Sequence, residues 1–102
     1  MNHFVTMKNF AKNGDVFDLW TVKYHSATLL QTPVRGAAID AYLLWRSDAD
    51  SLNHAVAEAI EKNTDEAARA LRHGKLDDAR TMTALNLALV TWLEEDSDES
   101  DV

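Results

Sequence analysis

Phe10-Ala11-Lys12-Asn13-Gly14-Asp15-Val16-Phe17 decides whether this chain opens with strands or with a helix. Asn-Gly accepts the left-handed backbone of a tight turn, and here it lies between two runs rich in β-branched and aromatic residues, His3 to Phe10 and Val16 to His25. With Asn13 and Gly14 as a two-residue loop, Ala11 pairs with Val16, Met7 with Trp20, Val5 with Val22 and His3 with Tyr24 on one face, and Lys12 falls opposite Asp15. The other face takes Phe10 with Phe17, Lys8 with Leu19, Thr6 with Thr21 and Phe4 with Lys23. One side is then largely apolar and the other mixed, as a sheet with one covered face requires. A helix capped by Asp15, with Val16, Leu19 and Trp20 inward, leaves both the Asn-Gly and the alternation unexplained. The reading is a hairpin over about 3–25, with room for a short third strand from Ser26 to Gln31.

Downstream the period changes from strand to helix. Thr32-Pro33 supplies a capping hydroxyl and then a Pro whose missing N–H costs nothing, followed by Ala38, Ala41, Tyr42 and Trp45 at helical spacing, which predicts a helix over about 33–46. Asp50 or Ser51 caps a second helix over about 51–63, with Leu52, Ala55, Val56, Ala59 and Ile60 as its apolar stripe. Thr64, followed by Asp65 and Glu66, opens a short third helix over about 65–73, stopped at Gly74 in the left-handed conformation that suits glycine. A fourth helix, about 76–95, opens with Asp77 and Asp78 and carries eight apolar residues among the ten from Ala84 to Leu93. That is too many for one face, and an α-helix apolar nearly all round is either central to the fold or covered by another chain. A lone two-stranded sheet is also marginal in water, so both arguments favour a homodimer with Leu85, Leu89, Trp92, Leu93 and Trp45 as interface candidates.

The bulk figures bound the rest. One hundred and two residues, 46% of them hydrophobic, with one Pro, three Gly and no Cys, fit one compact domain over about 1–93 that needs no disulfide or structural metal. The absence of Cys excludes thiolate zinc sites, redox pairs and cysteine nucleophiles. Met1 to Lys8 holds no basic region followed by an apolar block, and the longest apolar stretch is ten residues against the roughly 20 of a membrane span. A cytoplasmic location and no membrane contact are expected. The net charge of −7 is uneven: residues 1–46 carry +2, 47–93 carry −3, and 94–102 carry −6 from Glu94, Glu95, Asp96, Asp98, Glu99 and Asp101. That last segment reads as a disordered acidic tail.

Candidate chemistry is sparse. Asp50, His54 and Glu58 recur every four residues on one helix face, a spacing that can hold a metal and that a solvated polar face produces equally. Asp48-Ala49-Asp50 opens like a calcium loop, but Leu52, Asn53 and Ala59 stand where such a loop, counted from Asp48, needs an oxygen ligand, Gly and Glu. It reads instead as an interhelical turn. There is no nucleophile elbow, phosphate loop, dinucleotide fingerprint or His-Glu-x-x-His, and Ser26 beside His25 is not how a serine meets its base. Arg69, Arg72, His73, Lys75 and Arg80 form a basic corner diluted by Asp77 and Asp78, and with the acidic tail in the same chain direct nucleic-acid binding is not expected.

Ala70-Leu71-Arg72-His73-Gly74-Lys75-Leu76-Asp77-Asp78-Ala79, with Ala84-Leu85 following, resembles the turn of a tetratricopeptide-type helical hairpin. No second copy follows at the period of about 34 residues and the aromatic positions are absent, so the segment is taken as a generic helix–turn–helix corner without a family.

The expectation is an α+β fold, predominantly α, with an N-terminal β-hairpin packed on three to four helices. Its core or interface is Val5, Met7, Trp20, Val22, Ala41, Trp45, Val56, Ile60, Leu71, Leu85, Leu89 and Leu93. The expected function is a small non-catalytic regulator or inhibitor that acts through protein–protein contacts, of the kind found among phage and mobile-element accessory proteins, with no cofactor. The alternatives are an acidic decoy that blocks a nucleic-acid-binding protein and a metal-assisted hydrolase using His54 and Glu58.

Overall fold

A computed structural model describes residues 2–11 and 18–100, without the side chains of 10, 11, 18 and 97–100. The fold is α+β and predominantly helical, in the order β1 (Val5–Ala11), β2 (Asp18–Tyr24), β3 (Ala27–Thr32), α1 (Arg35–Ser47), α2 (Ala49–Arg72) and α3 (Leu76–Ser100). It forms two compact units, Met1–Leu52 and Asn53–Val102.

In the first unit the strands make an antiparallel sheet in the order β1-β2-β3, so the third strand allowed for by the sequence exists. The β1–β2 register differs from expectation by two residues. Val5 faces Tyr24, Met7 faces Val22, and the last pair is Ala11 with Asp18 instead of Val16. Asn13-Gly14 and the pairs predicted for Lys12, Val16 and Phe17 lie outside the described residues. The far end of the hairpin sets the register. The His25 N–H donates to the Phe4 carbonyl at 2.9 Å, the two rings stack at 4.2 Å, and the Asn2 N–H donates to the Arg46 carbonyl at 2.8 Å. Because a shift of two keeps every side chain on its face, Val5, Met7, Trp20, Val22 and Tyr24 still share the predicted inner side, while His3 is exposed and the side chains of Ala11 and Val16 lie outside the described residues. Val5, Val22 and Tyr24 are fully buried, and Met7 and Trp20 half-buried.

β2 and β3 join through His25-Ser26, with His25 at φ 53°. A bulge between Val22 and Lys23 leaves Leu29 as the extra residue of β3. α1 lies against all three strands. Ala38, fully buried, lets the helix approach closely, while Ala41, Tyr42 and Trp45 fill the sides and Arg35 stands 5.6 Å from the centre of the Trp20 ring. Thr32 does not cap this helix as predicted. Its hydroxyl accepts from the Val34 N–H at 3.1 Å, a local turn that uses up the capping oxygen, and the helix starts two residues later than expected. Asp48 closes α1 through its N–H on the Leu44 carbonyl and opens α2 through its carboxylate, displacing the predicted caps Asp50 and Ser51.

The second unit is a helical hairpin. The expected break between helices 51–63 and 65–73 is absent, and α2 runs through as one helix. Thr64 donates its hydroxyl back to the Ile60 carbonyl at 2.8 Å, a bond available only inside a helix, so it bridges the turn it was expected to break. The stop at Gly74 holds. Gly74 has φ 74°, its N–H meets the Leu71 carbonyl at 3.1 Å, and the Lys75 N–H meets the Ala70 carbonyl at 2.8 Å, which together make a Schellman turn. Asn86 of α3 then reaches back to α2, accepting from the Asn63 amide at 3.1 Å and donating to the Thr64 hydroxyl at 3.2 Å. Val56 and Leu89 are fully buried, and Ile60, Leu85 and Leu93 half-buried. Leu71, expected in the core or an interface, is exposed, because it lies in the last turn of α2 beside the reversal. α3 continues helically to Ser100, past the expected end near Glu95, so the acidic segment does not leave the fold at Glu94; no Gly or Pro follows Gly74 to end the helix.

Two substitutions test this account by chemical denaturation. A Cβ at Gly74 meets nothing within 4 Å, so Gly74→Ala isolates the backbone cost and destabilises by about 1 kcal/mol. Thr21, on the central strand, is 1% exposed and its hydroxyl has no partner among the described residues. Thr21→Val removes that unpaired group at nearly constant shape and is expected to stabilise by about 1 kcal/mol; a loss of stability contradicts the burial argument.

Candidate interaction surface

α1 and α3 each bear aliphatic side chains on the side away from their covering. On α1 the side chains turned to the sheet are Ala38, Tyr42 and Trp45, and the helical repeat of about 100° per residue sends Leu43 and Leu44 to the opposite side. They are 56% and 48% exposed, with Asp40 and Ser47 between them. On α3 the side that holds Asn86 and Leu89 faces α2, and the same rotation turns Ala84 and Leu87 away and leaves Val90 on the flank. Leu87 is 67% exposed and Val90 43%. Large exposed aliphatics recurring on one helical face mark contact surfaces more often than scattered single ones do.

The interface residues chosen from the sequence are placed differently. Leu89 is fully buried within the protomer and cannot meet a partner; Leu85, Trp92 and Leu93 are half-buried, as is Trp45 in the first unit. The exposed apolar residues of α3 are their neighbours, because counting apolar residues showed that two faces exist without showing which one α2 takes. Asn86 carried that information, since a polar residue inside an apolar run marks the side where a hydrogen-bonding partner waits. Glu94 and Glu95 are exposed and Asp96 is half-buried, while the side chains of Asp98, Glu99 and Asp101 are outside the described residues.

The candidate metal face does not assemble into a centre. His54 Nε2 lies 3.2 Å from Glu58 Oε1 with both side chains more than two-thirds exposed, an ordinary surface pair. Among the described residues no three His, Asp or Glu side chains converge as a metal site would require. Of Ser47 to Asn53, rejected as a calcium loop and read as an interhelical turn, only Asp48 lies between α1 and α2. There the Asp48 carboxylate accepts from the Ser51 hydroxyl at 2.9 Å and the Asp50 N–H at 3.1 Å. Those bonds, the Ser51 hydroxyl foremost, hold the carboxyl below its ordinary value of 3.8.

Compared with known protein families, curated proteins and solved structures, the chain matches none. No helix among the described residues is long and apolar enough to cross a membrane.

A lowered carboxyl pKa in the folded state contributes stability above the ordinary value, and that contribution is lost as pH falls below 3.8 through the lowered one. Asp48→Asn keeps a capping oxygen, so it is expected to be less stable than the parent at neutral pH and to converge on it only as pH falls below 3.8 through the lowered value. Thermal unfolding of both chains across this range checks the sign. Parallel curves contradict it.

Proposed function

We propose that this protein is a small non-catalytic binding module, a regulator or inhibitor that acts by docking onto another protein. The observation that carries the reading is the Leu43–Leu44 pair on the outer side of α1, two adjacent leucines about half exposed on a helix whose other side is committed to the sheet. Leaving them in water forgoes the burial energy of two large aliphatic side chains, on the order of 3 kcal/mol for the pair when fully covered. A partner surface recovers it. The helix presents them at i and i+1 around Asp40 and Ser47, a small apolar patch with a polar seam that suits a helix or loop of a second protein.

The acidic run at the end of α3 supports a second reading, an anionic decoy that occupies a basic groove on a nucleic-acid-binding protein, since Glu94 and Glu95 are exposed on a continuing helix. Removing residues 94–102 separates the two. The docking reading expects partner capture and its salt dependence to survive that truncation, and the decoy reading expects both to be lost.

The direct test is affinity capture from the native host with the parent chain and with Leu43→Asp/Leu44→Asp. The module is expected to retain a defined partner that the double variant loses, while the far-ultraviolet circular dichroism of the two chains coincides. A capture profile unchanged by the double variant contradicts the assignment.

A further inference from the structure

Arg80, Leu87 and Glu94 stand seven residues apart on α3, and seven residues turn an α-helix to within about 20° of the starting direction. All three are therefore on one side of the helix, the side away from the fully buried Leu89, and all three are exposed. Neither Arg80 nor Glu94 makes an ion pair among the described residues. A cation, a leucine and an anion thus lie in line at equal intervals over about 21 Å of helix.

That arrangement is complementary to itself when reversed. We infer that the outer face of α3 pairs with the same face of a second copy of this chain, antiparallel, about a two-fold axis at Leu87. Leu87 then packs on its counterpart, Arg80 of each copy meets Glu94 of the other, Ala84 lies opposite Val90 so that small meets large, and Thr83 lies opposite Thr91. The two-fold repeats every contact, so the two ion pairs bracket the apolar centre. A parallel pair sets Arg80 against Arg80 and Glu94 against Glu94, which opposes it.

The charge at the two ends of α3 points the same way. Glu94, Glu95 and Asp96 stand near its C-terminal end, where the macrodipole disfavours anions, and Arg69, Arg72, Lys75 and Arg80 gather around its N-terminal end, where they outnumber Asp77 and Asp78. Within one protomer a rigid helix of 25 residues, about 37 Å long, holds these groups apart. The antiparallel pair brings the acidic end of each copy beside the basic corner of the other and beside the positive end of its helix. The basic corner and the acidic run, which the docking function leaves unused, become two halves of one contact.

The inference builds on the reading of the chain as a binding module but uses a different face, so the two fail separately. Loss of partner capture in Leu43→Asp/Leu44→Asp speaks to α1, and the mass of the isolated protein speaks to α3.

Sedimentation velocity on the full chain, from low micromolar to a few hundred micromolar, reads the mass directly. The parent is expected to move from monomer to dimer, more weakly as salt is raised. Arg80→Glu is expected to weaken the dimer roughly tenfold or more, and Arg80→Glu/Glu94→Arg to restore it, because the reversed pair again matches. Leu87→Arg, a change at an exposed position that leaves the protomer folded, is expected to abolish it. A parent that stays monomeric throughout, a dimer indifferent to Leu87→Arg, or a charge reversal that the second substitution does not rescue overturns the inference.

Discussion

A helix packed against one neighbour hides one side of itself, and α3 carries aliphatic side chains on two. Everything proposed about assembly follows from that constraint. The Asn86 contacts with Asn63 and Thr64 fix which side goes to α2, with Leu89 fully buried alongside, and the same arrangement leaves Leu87 outside. An apolar core alone leaves the rotation of two helices weakly specified, since a turn about the axis exchanges one leucine for another. A part-buried amide pair cannot be exchanged without orphaning both partners, so it selects a single rotation. The left-handed Gly74 sets the reversal, and Asn63 and Asn86, nearly equidistant from it in sequence, set the alignment.

How far the sequence was legible follows the range of the interactions involved. Alternation placed Val5, Met7, Trp20, Val22 and Tyr24 on one side correctly because a strand's side chains depend only on parity, and parity survives a two-residue shift in register. The register itself depended on Phe4, His25 and the tie from Asn2 to Arg46, contacts between positions up to 44 residues apart that no local turn signal contains. Helix ends were legible where the backbone dictated them, as at Gly74, and misread where a hydroxyl had a choice. Thr32 and Thr64 both looked like caps; one closes a turn of its own and the other bonds back into the helix. The merging of two predicted helices into α2 comes from that second choice.

The candidate surface was half legible. An excess of apolar residues in Ala84 to Leu93 was visible at once and pointed to cover by another chain, but of the residues first chosen Leu89 is fully buried within the protomer and the others are half-buried. The seven-residue spacing of Arg80, Leu87 and Glu94 was present in the sequence and silent until one face of the helix was occupied. Leu43 and Leu44 were likewise indistinguishable from core positions until the sheet showed which side of α1 it takes. Asp50, His54 and Glu58 needed no such context, and their geometry is the solvated face that the spacing equally allowed.

The central claim is that the outer face of α3 is covered in solution by its own kind, and the exposure of Leu87 measures it. With leucine methyl groups labelled, the relaxation caused by a soluble paramagnetic agent reports how much of each methyl faces solvent. The account predicts that the Leu87 signal loses this relaxation as protein concentration rises, while exposed Leu71 at the hairpin tip keeps it throughout. Leu87 and Leu71 relaxing alike at every concentration contradicts it.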